Sequence, residues 1–267
     1  MSNNERTVLI TGASRGIGAG IAKAFAKDGY AFVGINYLQD KSGAEQVAEE
    51  VRKYGAKAEV YEANVCDSSE CEKMVQDFIK DAGRIDVLIN NAGGAQKIPA
   101  GGFEDMPTEY WDRQIKMNLS CAAYTSRIAV KDMIEKKIPG RIINISSVHS
   151  QVTWVKRKAL PYCAGKAGMN MFTKTLGVEV AKYGINVNCI APGFITTGLT
   201  TGRYSEAQID AFKRKIPAGA LGMPEDIAPT ALLLADVEKS RFIVGQTFVI
   251  DGGQSIDGAI DSMMYDF

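Results

Sequence analysis

Short β-branched or apolar runs alternate with longer amphipathic stretches along almost the whole chain. The runs are TVLIT (7–11), AFVGIN (31–36), KAEVYEA (57–63), DVLIN (86–90), RIINIS (141–146), INVNCIA (185–191) and QTFVID (246–251). Each has strand length, and several are apolar without a break, as strands covered on both faces are. Between them, GIGAGIAKAFAKDG, SGAEQVAEEVRKYG, SSECEKMVQDFIKDAG, the stretch from about Tyr110 to Lys137 and the stretch from Tyr162 to Tyr183 place apolar residues at helical spacing. Gly29, Gly55 and Gly83 follow three of these stretches and read as helix stops. Strand and helix in regular turn predict a doubly wound α/β fold: a seven-stranded parallel sheet with helices on both faces.

No proline-rich linker, low-complexity tract or repeat divides the 267 residues, so residues 1–267 read as a single domain. The segment 196–218 breaks the alternation with polar and glycine residues and is a candidate substrate lid. A tail, 254–267, runs past the last strand and is a candidate contact with a neighbouring subunit. Thirty-one basic side chains balance thirty-one acidic ones, which gives no global field toward nucleic acid or an anionic membrane. Five cysteines, an odd number with no C-x-x-C pair, fit neither a disulfide framework nor a zinc cluster, and a reducing cytoplasm is the expected setting. His149 is the only histidine, which excludes a multi-histidine metal site. The first residues lack the basic and long apolar regions of a signal peptide, and no segment reaches the ~20 apolar residues of a membrane helix.

Straight after the first apolar run comes Thr11-Gly12-Ala13-Ser14-Arg15-Gly16-Ile17-Gly18, opening a helix. Glycines in a strand-turn-helix context let backbone N–H groups approach a pyrophosphate at the helix N-terminus, the Rossmann arrangement. The spacing is G-x-x-x-G-x-G, and the same letters also fit a G-x-S-x-G nucleophile elbow on Ser14, with Asp86 and His149 downstream in hydrolase order. An elbow follows a central strand with an earlier loop supplying the oxyanion hole, whereas this motif follows the first strand, so the serine hydrolase ranks below the nucleotide reading.

PYCAGKAG (161–168) sets Tyr162 and Lys166 four apart, on one face of a helix. A phenol with a pKa of ~10 is a poor base near neutrality, and a nearby ammonium favours its ionised form. Together TGASRGIG (11–18), NNAG (90–93), ISS (145–147), YCAGK (162–166) and APGFITT (191–197) make the sequence similar to the short-chain dehydrogenase/reductase family over essentially its whole length. The resemblance implies hydride transfer between a nicotinamide cofactor and a ketone or secondary alcohol. The catalytic set it implies is Asn118, Ser147, Tyr162 and Lys166, with Ser146 as fallback for Ser147. Tyr162 would donate or accept the proton, Lys166 would tune it, Ser147 would hydrogen-bond the substrate oxygen, and Asn118 would hold a water linking Lys166 to solvent.

The same resemblance assigns cofactor contacts to Gly12, Ser14, Arg15, Gly16, Ile17, Gly18, Asn36, Asn64, Val65, Asn91, Ala92, Gly93, Pro192, Gly193, Ile195 and Thr197, with Tyr162 and Lys166. The second run ends in Ile35-Asn36-Tyr37, without the acid that grips the ribose 2′-hydroxyl of NAD(H). Arg15 is placed to pair with a 2′-phosphate and Asn36 to hydrogen-bond it, which favours NADP(H) with NAD(H) possible; Asp40 is the nearest acid. An Asn36→Asp change is expected to shift the preference toward NAD(H). Asn64 stands where the family has an aspartate, with a carbonyl still able to accept from adenine.

Ser147, His149, Trp154 and Tyr162 are the expected substrate contacts, while Lys156-Arg157-Lys158 reads as an anion contact or a solvated loop tip. The substrate classes left open are 3-oxoacyl thioesters, hydroxysteroids, sugars and other carbonyl compounds. A catalytically silent cofactor binder on the same fold is the competing reading. The family implies a homo-oligomer, dimer or tetramer, through the helices around 110–137 and 162–183.

Overall fold

The computed structural model describes residues 5–96, 101–153, 159–198 and 204–256. Strands β1 (Thr7–Ile10), β2 (Phe32–Tyr37), β3 (Lys57–Glu62), β4 (Val87–Asn90), β5 (Arg141–Ile145), β6 (Asn186–Pro192) and β7 (Thr247–Ile250) coincide with the seven apolar runs. All pairings are parallel, in the order β3-β2-β1-β4-β5-β6-β7. The helices are α1 (Gly16–Lys27), α2 (Lys41–Arg52), α3 (Ser68–Ala82), α4 (Thr108–Ile115), α5 (Cys121–Glu135), α6 (Leu160–Val180), α7 (Glu206–Arg214) and α8 (Pro224–Ala235). This is the Rossmann-type doubly wound fold. Gly29, Gly55 and Gly83 take φ of +88°, +88° and +80°, the left-handed conformation that stops a helix.

Two apolar cores lie on opposite faces of the sheet. Ile10, Ile21, Phe25, Val33, Ile35, Ile89 and Leu234 pack on one side. Leu9, Phe78, Leu88, Met133, Ile142 and Val187 pack on the other. Alternate residues of a strand point to opposite faces, so neighbours such as Leu9 and Ile10 belong to different cores.

Two segments depart from the periodicity. The stretch from Tyr110 to Lys137 is α4 and α5 joined by a single π turn over Lys116–Ser120, which apolar spacing alone does not mark. The segment 196–218 contains α7, opened by Ser205, whose hydroxyl accepts from Gln208 N–H while Gln208 caps back. No helix among the described residues is long and apolar enough to cross a membrane. The tail from 257, the basic run Lys156-Arg157-Lys158 and Trp154 lie outside the described residues.

Candidate active site

Strand order reverses between β1 and β4, and in an open α/β sheet a ligand crevice forms at such a point beyond the strands' C-terminal ends. The loops after β1, β4, β5 and β6 all emerge there, carrying residues 11–18, 91–94, 146–150 and 193–198.

The first loop is braced by the second. Asn91 Nδ2 donates to the carbonyls of Thr11 (2.8 Å) and Gly12 (2.9 Å), and the Asn91 and Ala92 N–H groups both donate to Thr11 Oγ1 at 3.0 Å. Gly12 has φ +61°, and a Cβ there would lie 2.9 Å from Ala92 Cα. A Cβ on Gly18 would lie 2.6 Å from Asn91 Nδ2 and 2.7 Å from Gly12 O. Glycine is therefore required by the clasp itself at both places. Helix α1 begins with Arg15 as N-cap and no side chain closing its first amides, whereas Asp40 caps α2 and Asp67 caps α3. Open N–H groups behind a glycine-bearing turn form a cradle for a pyrophosphate. Ser14 and Ile17 are half-buried in that turn, and Thr197 packs on Gly16, where a Cβ would meet its Cγ2 at 3.2 Å.

Asn36 requires a correction. It is 2% exposed; its Oδ1 accepts from Gly12 N–H at 3.0 Å and its Nδ2 lies 3.1–3.2 Å from the carbonyls of Tyr37, Tyr61 and Ala63. Both ends of the amide are engaged in holding the glycine turn to β2 and β3, so it has no free group for a 2′-phosphate. Arg15 remains exposed, its Cδ 4.0 Å from where a Gly198 Cβ would sit. Asn64 Oδ1 accepts from Cys66 N–H at 3.0 Å, so its carbonyl already closes a turn of its own chain; Val65 is half-buried beside it.

Ser147, Lys166 and Asn118 come together around the end of β5. Lys166 is 3% exposed and donates from Nζ to Ile145 O at 2.7 Å, two residues before Ser147. A Cβ on Gly93 would lie 3.0 Å from Asn118 Oδ1 and 3.2 Å from Lys166 Nζ, so these two groups converge on one point. Asn118 lies in the π turn, and Gly165 lets α6 come against it, a Cβ there meeting Asn118 Cβ at 3.0 Å. Tyr162, half-buried in the first turn of α6, precedes Lys166 by four residues on the same helix.

Burial lowers the pKa of Lys166. Among the described residues, Cys121 and Cys189 act on it, and burial pushes both thiols up to about 11. Both thiols are neutral near pH 7 and so present no negative charge to Lys166.

The adjacent serines divide their duties. Ser146 Oγ donates to Lys166 O at 3.1 Å and ties α6 to the sheet. Ser147 Oγ accepts from His149 N–H at 3.2 Å. His149 is buried, with Nδ1 3.1 Å from Val152 O. Pro192 ends β6, and Gly193 passes against Asp251, where a Cβ would lie 2.6 Å from Asp251 Cβ. Ile195 bridges to Gly222, and Phe194 stacks on Phe212 of α7 at 4.7 Å between ring centres, with Tyr204 edge-on to Phe212.

The hydrolase set is not assembled. Asp86 lies just before β4, where its Oδ2 accepts from Thr7 N–H (3.0 Å) and its Oδ1 pairs with Arg84 (2.7 Å), at the opposite edge of the sheet from Ser14.

Sequence reasoning missed a buried polar lattice behind the site. Asn90 Nδ2 donates to Asn144 Oδ1 (2.8 Å) and Ser126 Oγ, Thr125 Oγ1 donates to Asn90 Oδ1 (2.6 Å), and Asn144 Nδ2 donates to Thr173 Oγ1 (2.9 Å). The available signal was an asparagine at the end of the apolar run VLI in β4 and another after the apolar pair Ile142-Ile143 in β5.

A family model described as enoyl-(acyl carrier protein) reductase matches residues 12–255. The chain is 34% identical over 252 residues to 3β-hydroxysteroid dehydrogenase 1 of Eggerthella lenta, covering 94% of each chain. It is 37% identical over 248 residues to a 3-oxoacyl-[acyl-carrier-protein] reductase of Synechocystis, covering 93% of this chain and 96% of the relative. The crystal structure of acetoin dehydrogenase from Enterobacter cloacae superposes with a TM-score of 0.86 at 30% identity, over 97% of this chain and 98% of that one. The glycine cradle, the α6 pair and these full-length likenesses place the chain in the short-chain dehydrogenase/reductase family of nicotinamide-dependent oxidoreductases.

Proposed function

We propose that this protein interconverts a ketone and a secondary alcohol, with Tyr162 as acid and base and NADP(H) as the preferred cofactor. The observation that carries the reading is Lys166: a buried amine whose Nζ donates to Ile145 O at 2.7 Å, four residues after the Tyr162 phenol on the same face of α6. A positive charge in a low-dielectric setting favours loss of the phenolic proton. The uncapped start of α1 and the glycine cradle fit a dinucleotide pyrophosphate, and Gly12–Gly18, Asn91–Gly93, Pro192, Gly193, Ile195 and Thr197 are the residues we assign to it. When bound, the nicotinamide supplies or accepts the hydride.

In reduction, Tyr162 gives its proton to the carbonyl oxygen as the carbonyl carbon becomes an alcohol; in oxidation its phenolate takes that proton back. Ser147 is favoured over Ser146 as the oxygen-holding hydroxyl, because the Ser146 hydrogen is directed at Lys166 O while Ser147 accepts from His149 N–H and keeps its own hydrogen to donate. The NADP(H) preference rests on the lack of an acid at the end of β2 and on exposed Arg15 beside the turn. We assign the substrate lid to 196–218, with α7 held to the post-β6 loop by the Phe194–Tyr204–Phe212 ring cluster. The substrate belongs among 3-oxoacyl thioesters, hydroxysteroids, sugars and related carbonyls. We further propose a cytoplasmic homo-oligomer, supported by exposed Met171 and Val178 on α6.

The test follows nicotinamide absorbance with NADPH or NADH across acetoacetyl thioesters, oxo-steroids, ketoses and diketones, for wild type and Tyr162→Phe. Turnover lost in the variant is the expected result. Cofactor binding without turnover of any member of the panel would favour a silent binder.

A further inference from the structure

Gln114 lies on α4 one turn before Asn118 and is 0% exposed. Asn118 Nδ2 donates to Gln114 O at 3.0 Å and reaches Gln114 Oε1 at 3.4 Å. Asn118 Oδ1 accepts from Gly94 N–H at 2.9 Å, and Nδ2 also lies 3.3 Å from Gly94 O. The Asn118 amide is thus held at both ends. Gln114 Nε2, by contrast, has no hydrogen-bond partner among the described residues.

Turning the Gln114 amide over does not remove the problem. It would set an NH2 group against the NH2 of Asn118, two donors facing each other at 3.4 Å. A buried donor left unmade is destabilising, and an apolar side chain of similar length would avoid that cost. Such a position is normally completed by a buried water with two or more polar partners.

Proton supply gives that water a use. Each reduction removes one proton from Tyr162, and solvent must return it. Lys166, four residues after Tyr162 on α6, is 3% exposed and converges with Asn118 near Gly93. From Asn118 a polar stripe continues at four-residue spacing through Gln114 to buried Tyr110, toward the exposed start of α4 at Thr108 and Glu109. We infer that Gln114 is a positioning residue: its Nε2 donates to a buried water that extends the Asn118–Lys166 pair toward solvent, through which the proton given up by Tyr162 is replaced. The inference deepens the acid–base role proposed for Tyr162 and rests on it.

Two measurements decide it. A crystal structure of the wild type at a resolution that orders buried waters is expected to show one within about 3.2 Å of Gln114 Nε2; a dry amide, or a protein acceptor in that place, overturns the inference without any variant having to fold. Gln114→Met, which keeps length and removes the donor, is expected to lower kcat about tenfold, leave KM for the cofactor unchanged and enlarge the solvent deuterium isotope effect on kcat. An unchanged kcat and isotope effect overturn the relay role, as does a loss that only tracks a lower melting temperature. Wild type inactive on every carbonyl would instead remove the acid–base reading, which separates that failure from this one.

Discussion

Buried polar side chains crowd both edges of the sheet, and the two edges use them in opposite ways. At the N-terminal edge most such groups are closed upon another, Arg84 Nε and Thr247 Oγ1 being the exceptions among the described residues. Asp86 accepts from Thr7 N–H and Oγ1 and pairs with Arg84, and Arg6 donates to Ala235 O at 2.8 Å. Arg141 donates to Ser240 Oγ and to the carbonyls of Pro139, Gly140, Gly184 and Val237. Burial lowers its pKa to about 10, so it stays charged at neutral pH. At the C-terminal edge, the start of α1 is uncapped, Arg15 is exposed and Gln114 Nε2 has no partner among the described residues. A network that closes on itself serves stability; an open helix start and an exposed arginine beside a glycine turn are groups that another molecule can complete.

That contrast breaks if variants at one edge behave like variants at the other. The largest effect is expected from Tyr162→Phe, with kcat lower by about 10²–10⁴-fold, the range for a lost general acid or base, and with cofactor binding and melting temperature retained. A variant that melts early yet still turns over would remove the functional character of this edge. Arg141→Met should do the reverse. It strands several buried acceptors and is expected to cost about 2–4 kcal/mol by denaturant titration, while kcat and KM of the folded enzyme stay unchanged.

A smaller effect sharpens the cofactor side. Arg15→Ala should lower the NADPH-to-NADH ratio of kcat/KM about tenfold, the worth of one charge-assisted contact, and an unchanged ratio would take the 2′-phosphate away from this residue. Asn36→Asp, which the bare sequence offers as the cofactor switch, should instead lower stability, because it turns the donor that faces three carbonyls into an acceptor.

The smallest effect belongs to the closed edge. Asp236 accepts from the N–H groups of Glu238 and Lys239, both at 2.9 Å, and these contacts lower its pKa. A depressed carboxylate stabilises the fold above its ordinary pKa, and that stabilisation is lost as the pH falls through the folded value. Melts of Asp236→Asn should therefore fall less steeply with acid than those of wild type, and identical acid limbs would discount this contribution.

The seven strands were legible because runs such as DVLIN and RIINIS are buried on both faces and cannot hide their composition. The helix stops were legible because glycine alone takes the required φ cheaply. The π turn was not, since one wider turn leaves the apolar spacing of Tyr110–Lys137 nearly unchanged, and α7 was not, since a helix with no buried residue has no core stripe to read. Arg15 and Asn36 both offer N–H donors that could meet a phosphate, yet one is exposed and the other sealed.

The chain by itself therefore determined the doubly wound sheet, the glycine turn and the spacing of Tyr162 and Lys166, because local periodicity, backbone freedom and helical geometry act over a few residues. Tertiary structure alone decided that Asn36 braces the turn, that Ser146 and Ser147 have different duties, that Asp86 and Ser14 sit at opposite edges and that Gln114 lies behind Asn118. Those are questions of which partner each polar group meets once buried; for Asn36 and Ser146 the partners come from elements distant in sequence, and for Gln114 the burial that leaves its amide short of a partner comes from the packing of α4 in the folded chain.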